Sequence, residues 1–289
     1  MVKAKKQFGQ HWLHSEKALS KIVLSAELKP TDRVLEIGPG TGILTRPLMQ
    51  EAESVVAVEV DRDLCDLLSQ KLGKIKKFLL VQGDFLKMDL DKVLAPFEAF
   101  HNPRKVVANI PYNITGPILE KLLGTIANPN PNPFESIVLL VQKEVALRIC
   151  ARANNSNYGA LSVRIQYLAD CEFVFDVPAK SFRPPPKVDS AVIRLRPRPI
   201  ERPAQDPQHL MQILKQGFSS RRKMLRNNLK STIESEALGE MLTALEINPL
   251  ARGEELSVAD WVNLSDRLLA RVGFNPEPNP EPDPERPES

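Results

Sequence analysis

The chain has 289 residues, 42% hydrophobic and 26% charged, which is enough apolar material for one large and one small globular unit and too much for a disordered chain. Its formal net charge of +3 hides an asymmetry: the last sixteen residues, FNPEPNPEPDPERPES, carry five acids against one arginine, leaving +7 on residues 1–273. A basic body favours a polyanionic partner, the scattered Cys65, Cys150 and Cys171 exclude a disulfide framework or a Cys-x-x-Cys site, and no apolar run reaches the ~18 residues of a membrane span.

The N-terminal stretch MVKAKKQFGQHWLH is basic but lacks the apolar core of a secretory leader. A cytoplasmic, reducing location without membrane contact is expected. Five runs then read as buried strands: RVLEIG (33–38), SVVAVEV (54–60), KFLLVQGD (77–84), KVVANI (105–110) and SIVLLVQ (136–142). Helical spacing over 43–52, 61–73 and 115–125 separates several of them, which predicts an α/β fold, a parallel sheet with helices on both faces. NPNPNP (128–133) is a loop before the fifth strand. A helix over 160–170 precedes CEFVFDV (171–177) and SAVIRLRP (190–197), a pair expected to close one sheet edge in antiparallel fashion. Proline-rich RPRPIERPAQDP (196–207) is a linker, followed by helical stretches at 208–218, 219–231, 234–246 and 257–272. From about residue 275 the Pro/Glu tail has too little apolar surface to order itself.

Chemistry gathers at the predicted strand ends. VLEIGPGTGILT places glycines at 38, 40 and 42 directly after the first strand, where missing side chains let backbone approach a ligand. A dinucleotide fingerprint would want its third glycine at position 43, where Ile43 stands, so NAD is disfavoured. The second strand ends in Glu59, an acid placed to accept hydrogen bonds from ribose hydroxyls, and the third in Asp84, an acceptor suited to an adenine amine. Glycine loop, acid and acid at successive strand ends fit an adenosyl cofactor, and S-adenosylmethionine fits the glycine spacing better than NAD does.

The fourth strand breaks abruptly in VVANIPYNIT (106–115). The exocyclic amine of a purine is a poor nucleophile because its lone pair is delocalised into the ring. Acceptors aimed at its two N–H groups favour the pyramidal amine, and the Asn109 amide oxygen with the Ile110 carbonyl could supply both. Pro111 stiffens the turn without adding an N–H, and Tyr112 offers a flat face for an unstacked base. Positioning rather than a general base would do the work. The plainer alternative is a Pro turn with a core tyrosine.

At this point NIPYNIT resembles the N-P-P-Y type motif of amino methyltransferases. With KKQFGQHWL (5–13), LEIGPGTGILT (35–45), VEVD (58–61), GDFL (83–86), FRPPPKVDSAVIRL (182–195) and GFSSRRKMLRNNL (217–229), the chain resembles the bacterial small-subunit ribosomal RNA adenine dimethyltransferases over roughly residues 5–270. The resemblance implies a Rossmann-like S-adenosylmethionine-dependent methyltransferase sheet over residues 1–200 and a small all-helical RNA-binding domain over 201–273; the acidic tail, 274–289, lies outside it and is expected to be disordered from its composition. It implies transfer of four methyl groups to two adjacent adenines near the 3′ end of 16S rRNA in the immature 30S subunit, by a monomer that needs no metal. Family cofactor contacts fall on His11, Leu13, Gly38, Glu59, Asp84 and Asn109. Members of the family commonly read GQNFL where this chain reads GQHWL, so a contact through the residue-11 backbone would survive, and whether residue 11 also contacts the cofactor by its side chain stays open.

Other features admit two readings. His11 and His14 form an H-x-x-H pair, but no Cys or acid cluster accompanies it and this methyl transfer needs no metal. Phe182 is either core or, as the resemblance implies, a second stacking face for the target base. SSRRKMLRNNLK (219–230) holds five cations and no acid; Arg221, Arg222 and Lys223 are candidates for phosphate contact, against an ordinary solvated helix face. Lys3, Lys5 and Lys6 either touch RNA or fray. Two rival functions remain: a resistance-type large-subunit RNA methyltransferase with the same core, and a non-catalytic assembly factor that keeps the fold.

Overall fold

The computed structural model describes Lys5 and residues 8–272. The expectations for Lys3, Lys6 and the acidic tail lie outside the described residues.

The five apolar runs form strands β2 (Arg33–Ile37), β3 (Ser54–Glu59), β4 (Phe78–Gln82), β5 (Lys105–Asn109) and β6 (Ser136–Gln142), after a two-residue β1 (Trp12–Leu13). All are parallel, in the order β4-β3-β2-β5-β6. Every residue of β3 is buried, as are the first six of β6, which is why these segments read as continuous apolar runs rather than alternating ones. Helices α1 (Glu16–Ser25), α2 (Thr45–Glu51), α3 (Arg62–Leu72), α4 (Leu90–Leu94) and α5 (Thr115–Leu123) lie between these strands, with α6 (Lys143–Cys150) and α7 (Ala160–Leu168) after β6. Local chemistry sets the starts: Ser15 caps α1, Asp61 caps α3 and Asp89 caps α4 through their side-chain oxygens.

The sheet is closed as the sequence predicts. Strand β7 (Ala169–Val177) and, after the two-residue β8 (Phe182–Arg183), β9 (Ser190–Pro197) complete seven strands, with β9 inserted antiparallel between β6 and β7. The chain runs from β2 to one side through β3 and β4, then returns to build β5 and β6 on the other. The crevice at that reversal, beyond the carboxyl ends of β2 and β5, is where open α/β sheets bind ligands. Separately, β1 pairs antiparallel with β8, Trp12 opposite Arg183 and Leu13 opposite Phe182. This pairing folds the N-terminal segment over the crevice.

After the linker come α8 (Pro207–Gly217), α9 (Leu225–Asn228), α10 (Ser235–Ala244) and α11 (Val258–Val272). Asp206 caps α8 with Pro207 in its first turn. The predicted helix over 219–231 shrinks to the four residues of α9. Gly217 packs against Trp261, where a Cβ would come within 2.4 Å of the indole, and Asn228 Nδ2 donates to the Gly217 and Ser220 carbonyls. Those carbonyls are thereby satisfied by a side chain, and the chain turns instead of continuing a helix. Leu210, Leu225, Leu238 and Trp261 join the same contiguous core as the sheet residues Val106 and Leu139. No helix among the described residues is long and apolar enough to cross a membrane.

Candidate functional site

A cavity of about 280 Å³ opens at the carboxyl ends of β2, β3 and β5 and is lined by Leu13, Gly38, Glu59, Asp84, Asn109, Ile110, Pro111 and Tyr112, together with the His11 segment. The glycine loop forms its floor. Gly38, Gly40 and Gly42 have φ of +69°, +59° and +81°, which side-chain-bearing residues rarely adopt. A Cβ at Gly42 would also come within 2.9 Å of Leu68.

Glu59 ends β3 only 6% exposed. Its Oε1 accepts from Val60 N and Asp61 N at 2.9 Å each, and its Oε2 from Gly40 N at 3.2 Å. Burial pushes its carboxyl above the ordinary range, and these backbone N–H groups oppose the rise. The acid is therefore fixed against the glycine loop with acceptor capacity on Oε2 still facing the cavity. Asp84, beyond β4, is tied by Leu86 N at 3.0 Å to Oδ1 and lies 3.9 Å from Lys87 Nζ. Two apolar side chains on the rim, Val60 and Ile43, are 46% and 36% exposed, and buried Phe85 adds an aromatic wall beside Asp84.

Asn109 ends β5 directly beside the glycine loop: a Cβ on Gly38 would lie 4.0 Å from its carbonyl. Asn109 Nδ2 donates to the His11 carbonyl at 3.2 Å. A carbonyl only accepts, so the amide must present its NH₂ there and leave Oδ1 for the cavity. The turn that follows is braced by Ile114 N on the Pro111 carbonyl at 3.3 Å and by Thr115 Oγ1 on the Tyr112 carbonyl at 3.2 Å. The Tyr112 hydroxyl pairs with Ser190 Oγ at the start of β9. Burial pushes this phenol up, so it stays neutral in the physiological range.

His11 reaches the site by both routes left open by the sequence. Its carbonyl holds Asn109, while its ring turns away to the Pro111–Tyr112 turn, nearly parallel to Tyr112 at 5.9 Å between centroids and 19° between planes. Nδ1 lies 2.7 Å from the Pro184 carbonyl and so must carry the proton. The N-terminal segment is held at its far end as well: Lys5 Nζ meets Asp61 Oδ1 at 2.6 Å and Asp63 Oδ2 at 2.8 Å, and Gln10 Nε2 meets Asp61 Oδ2 at 2.9 Å. Lys5 thus neither frays nor stands free for RNA; it clasps the N-terminal segment to the start of α3.

Two expectations are corrected. Phe182, considered as a stacking face, is 2% exposed, pairs with Leu13 across β1 and β8, and packs in the core with Leu19 and Val177 rather than lining the cavity. Arg221 is not a free phosphate ligand: its guanidinium donates to the carbonyls of Ser156 and Tyr158 and meets Glu254 at 3.3 Å. Arg222 and Lys223 remain exposed. Among the described residues no group of three His, Cys, Asp or Glu is placed to hold a metal ion.

The sequence reading missed Glu36 and Trp12. Glu36 sits inside β2 among the cavity-lining residues, 1% exposed, with Oε2 unpartnered among the described residues, and burial raises its carboxyl to about 8. Its signal was an acid inside the otherwise apolar VLEI run. The site as a whole suits an adenosyl cofactor: a side-chain-free floor, acids for hydroxyls and an amine, and apolar walls.

Comparison with known proteins points the same way. Residues 1–269 match the family model for ribosomal RNA adenine dimethylase. The ribosomal RNA small subunit methyltransferase A of Nostoc sp. is 61% identical over 268 residues, covering 93% of this chain and 99% of that protein. Its counterpart of the same name from Synechococcus elongatus is 56% identical over 261 residues, covering 90% and 94%. Among solved structures, a dimethyladenosine transferase from Plasmodium falciparum superposes with a TM-score of 0.73 at 26% identity, over 91% of this chain and 99% of that one. The 23S rRNA methyltransferase ErmE gives 0.67 at 27% identity, over 89% and 99%.

Proposed function

The chain belongs to the ribosomal RNA adenine dimethylase family, and from that premise we propose that it methylates the N6 amines of two adjacent adenines near the 3′ end of small-subunit (16S) ribosomal RNA. It is an S-adenosylmethionine-dependent methyltransferase whose substrate is ribosomal RNA. The cofactor, when bound, supplies a methyl group on a cationic sulfur.

The chain's own residues supply position. Glu59 is assigned the ribose hydroxyls and Asp84 the cofactor's adenine amine. Asn109 Oδ1 and the Ile110 carbonyl are assigned the two hydrogens of the target amine, drawing it out of conjugation with its ring and aiming its lone pair at the methyl group. Tyr112, held by Ser190 and backed by His11, is assigned the stacking face. A neutral phenol does not act as the base, and with Phe182 in the core the second face of the base falls to a residue not yet identified. The observation that carries this reading is the orientation of Asn109: a hydrogen of its NH₂ is committed to the His11 carbonyl, which fixes the amide's flip and leaves Oδ1 free to accept.

The finer partner is proposed to be the immature 30S subunit, bound by a monomer in the cytoplasm without a metal, with 201–273 as the RNA-binding helical domain. The ErmE likeness favours large-subunit RNA as the second reading, although the 61% identity to a small-subunit enzyme outweighs 27%. Labelled S-adenosylmethionine incubated with undermethylated small and large subunits separates them. Label in the small-subunit RNA supports the proposal; label in large-subunit RNA, or none, contradicts it.

A further inference from the structure

Among the described residues, the side chains lining the cavity include three acids, Glu36, Glu59 and Asp84, and no lysine or arginine. From these side chains a ligand carboxylate is offered neutral donors. Three side-chain donors are already engaged: Gln10 Nε2 on Asp61, Asn109 Nδ2 on the His11 carbonyl, the Tyr112 hydroxyl with Ser190. Trp12 is different. It lines the cavity, its Nε1 is buried, and that nitrogen has no hydrogen-bond partner among the described residues. An indole N–H can only donate, and leaving a buried donor unpaired is costly, so native structures rarely do so without a ligand or water to meet it.

The position of the indole is set by the fold. Pairing of Trp12 with Arg183 across β1 and β8 fixes the backbone. The ring then lies over the glycine loop, where a Cβ on Gly40 would meet Trp12 Cδ1 at 3.5 Å and Nε1 at 3.6 Å. Glu36 Oε2 is the other buried polar atom without a partner among the described lining residues.

We propose that the Trp12 indole N–H is a further cofactor contact, donating to the carboxylate at the methionine end and selecting for cofactors that carry it. The proposal rests on the reading of this cavity as the cofactor site. The family motif GQNFL places phenylalanine at this position, which fills space but donates nothing.

The test uses the full chain and three probes: S-adenosylhomocysteine, its analogue lacking only the carboxylate, and 5′-methylthioadenosine. In calorimetry, Trp12→Phe is expected to weaken S-adenosylhomocysteine about tenfold or more, the loss of a hydrogen bond to a charged group, and to leave the other two within about threefold. An equal loss on all three probes, or none on any, overturns the proposal. A second measurement needs no variant. The chain has two tryptophans, and Trp261 is 0% exposed against Phe218 and Gly217, an internal control. In nitrogen-15 spectra the Trp12 indole proton should move downfield with S-adenosylhomocysteine and not with the decarboxylated analogue; identical Trp12 signals in the two complexes overturn the assignment. Binding of 5′-methylthioadenosine that is insensitive to Asp84→Ala would instead overturn the cofactor-site reading, and this proposal with it.

Discussion

Replacing Glu36 by Gln probes the electrostatics of the cavity floor without changing its shape. In the folded chain burial holds this carboxyl at about 8, against an ordinary value of 4.5. Between those two pH values the unfolded chain has released the proton and the folded chain still holds it. Folding therefore takes up a proton, and stability falls as pH rises through the window, by up to about 1.4 kcal/mol per pH unit from this one group. The relative stability is fully present below pH 4.5 and gone above about 8. An amide does not titrate, so Glu36→Gln removes that slope and leaves a pH-independent offset from its altered hydrogen bonding. Urea unfolding of both proteins at several pH values from 5 to 8 is the assay. Wild-type stability should decline relative to the variant across the series. Parallel curves would refute the reasoning and mean that Glu36 is already ionised and compensated in the folded state.

Asp84→Ala should weaken S-adenosylmethionine by roughly ten- to hundredfold in Kd by calorimetry, the loss of a hydrogen bond to a charged group, with little effect on folding because Asp84 is half-exposed. An unchanged Kd removes it from the adenine site. Replacing Arg222 and Lys223 by Gln should flatten the slope of log K for RNA against log salt by about 1.4–1.8, two phosphate contacts, with unchanged affinity for free cofactor; an unchanged slope makes them ordinary surface. Arg221→Gln behaves differently, lowering Tm because the guanidinium holds the 156–158 loop and Glu254; an unaltered Tm would contradict that structural role.

Strands with both faces buried write themselves plainly into the sequence, and β2, β3, β5 and β6 were legible for that reason, while β4 at the sheet edge is only partly buried and was legible as a short apolar run. The antiparallel closure by β7 and β9 was legible too, because each is a long β-branched or aromatic run. The pairing of β1 with β8 was not: two residues matched to two others about 170 positions away carry no periodicity. That pairing decides the site's upper wall, which explains why Phe182 read as a stacking face and Trp12 went unnoticed. Arg221 illustrates the same limit, since a cation's partner, here a carbonyl pair 63 and 65 residues away, is invisible in a local charge count. Glu59, Asp84 and Asn109 were legible because a parallel sheet brings successive strand ends to one edge regardless of tertiary detail.

The account's central claim is that Asn109 orients the target amine instead of merely ending a strand. The direct measurement is the single-turnover rate of methyl transfer to small-subunit RNA by Asn109→Ala, at saturating S-adenosylmethionine and RNA. A rate reduced by about a hundredfold or more, with RNA affinity and Tm near those of the wild type, is the predicted result, since the lost interaction strengthens as the amine leaves conjugation. A near-normal single-turnover rate would contradict the claim.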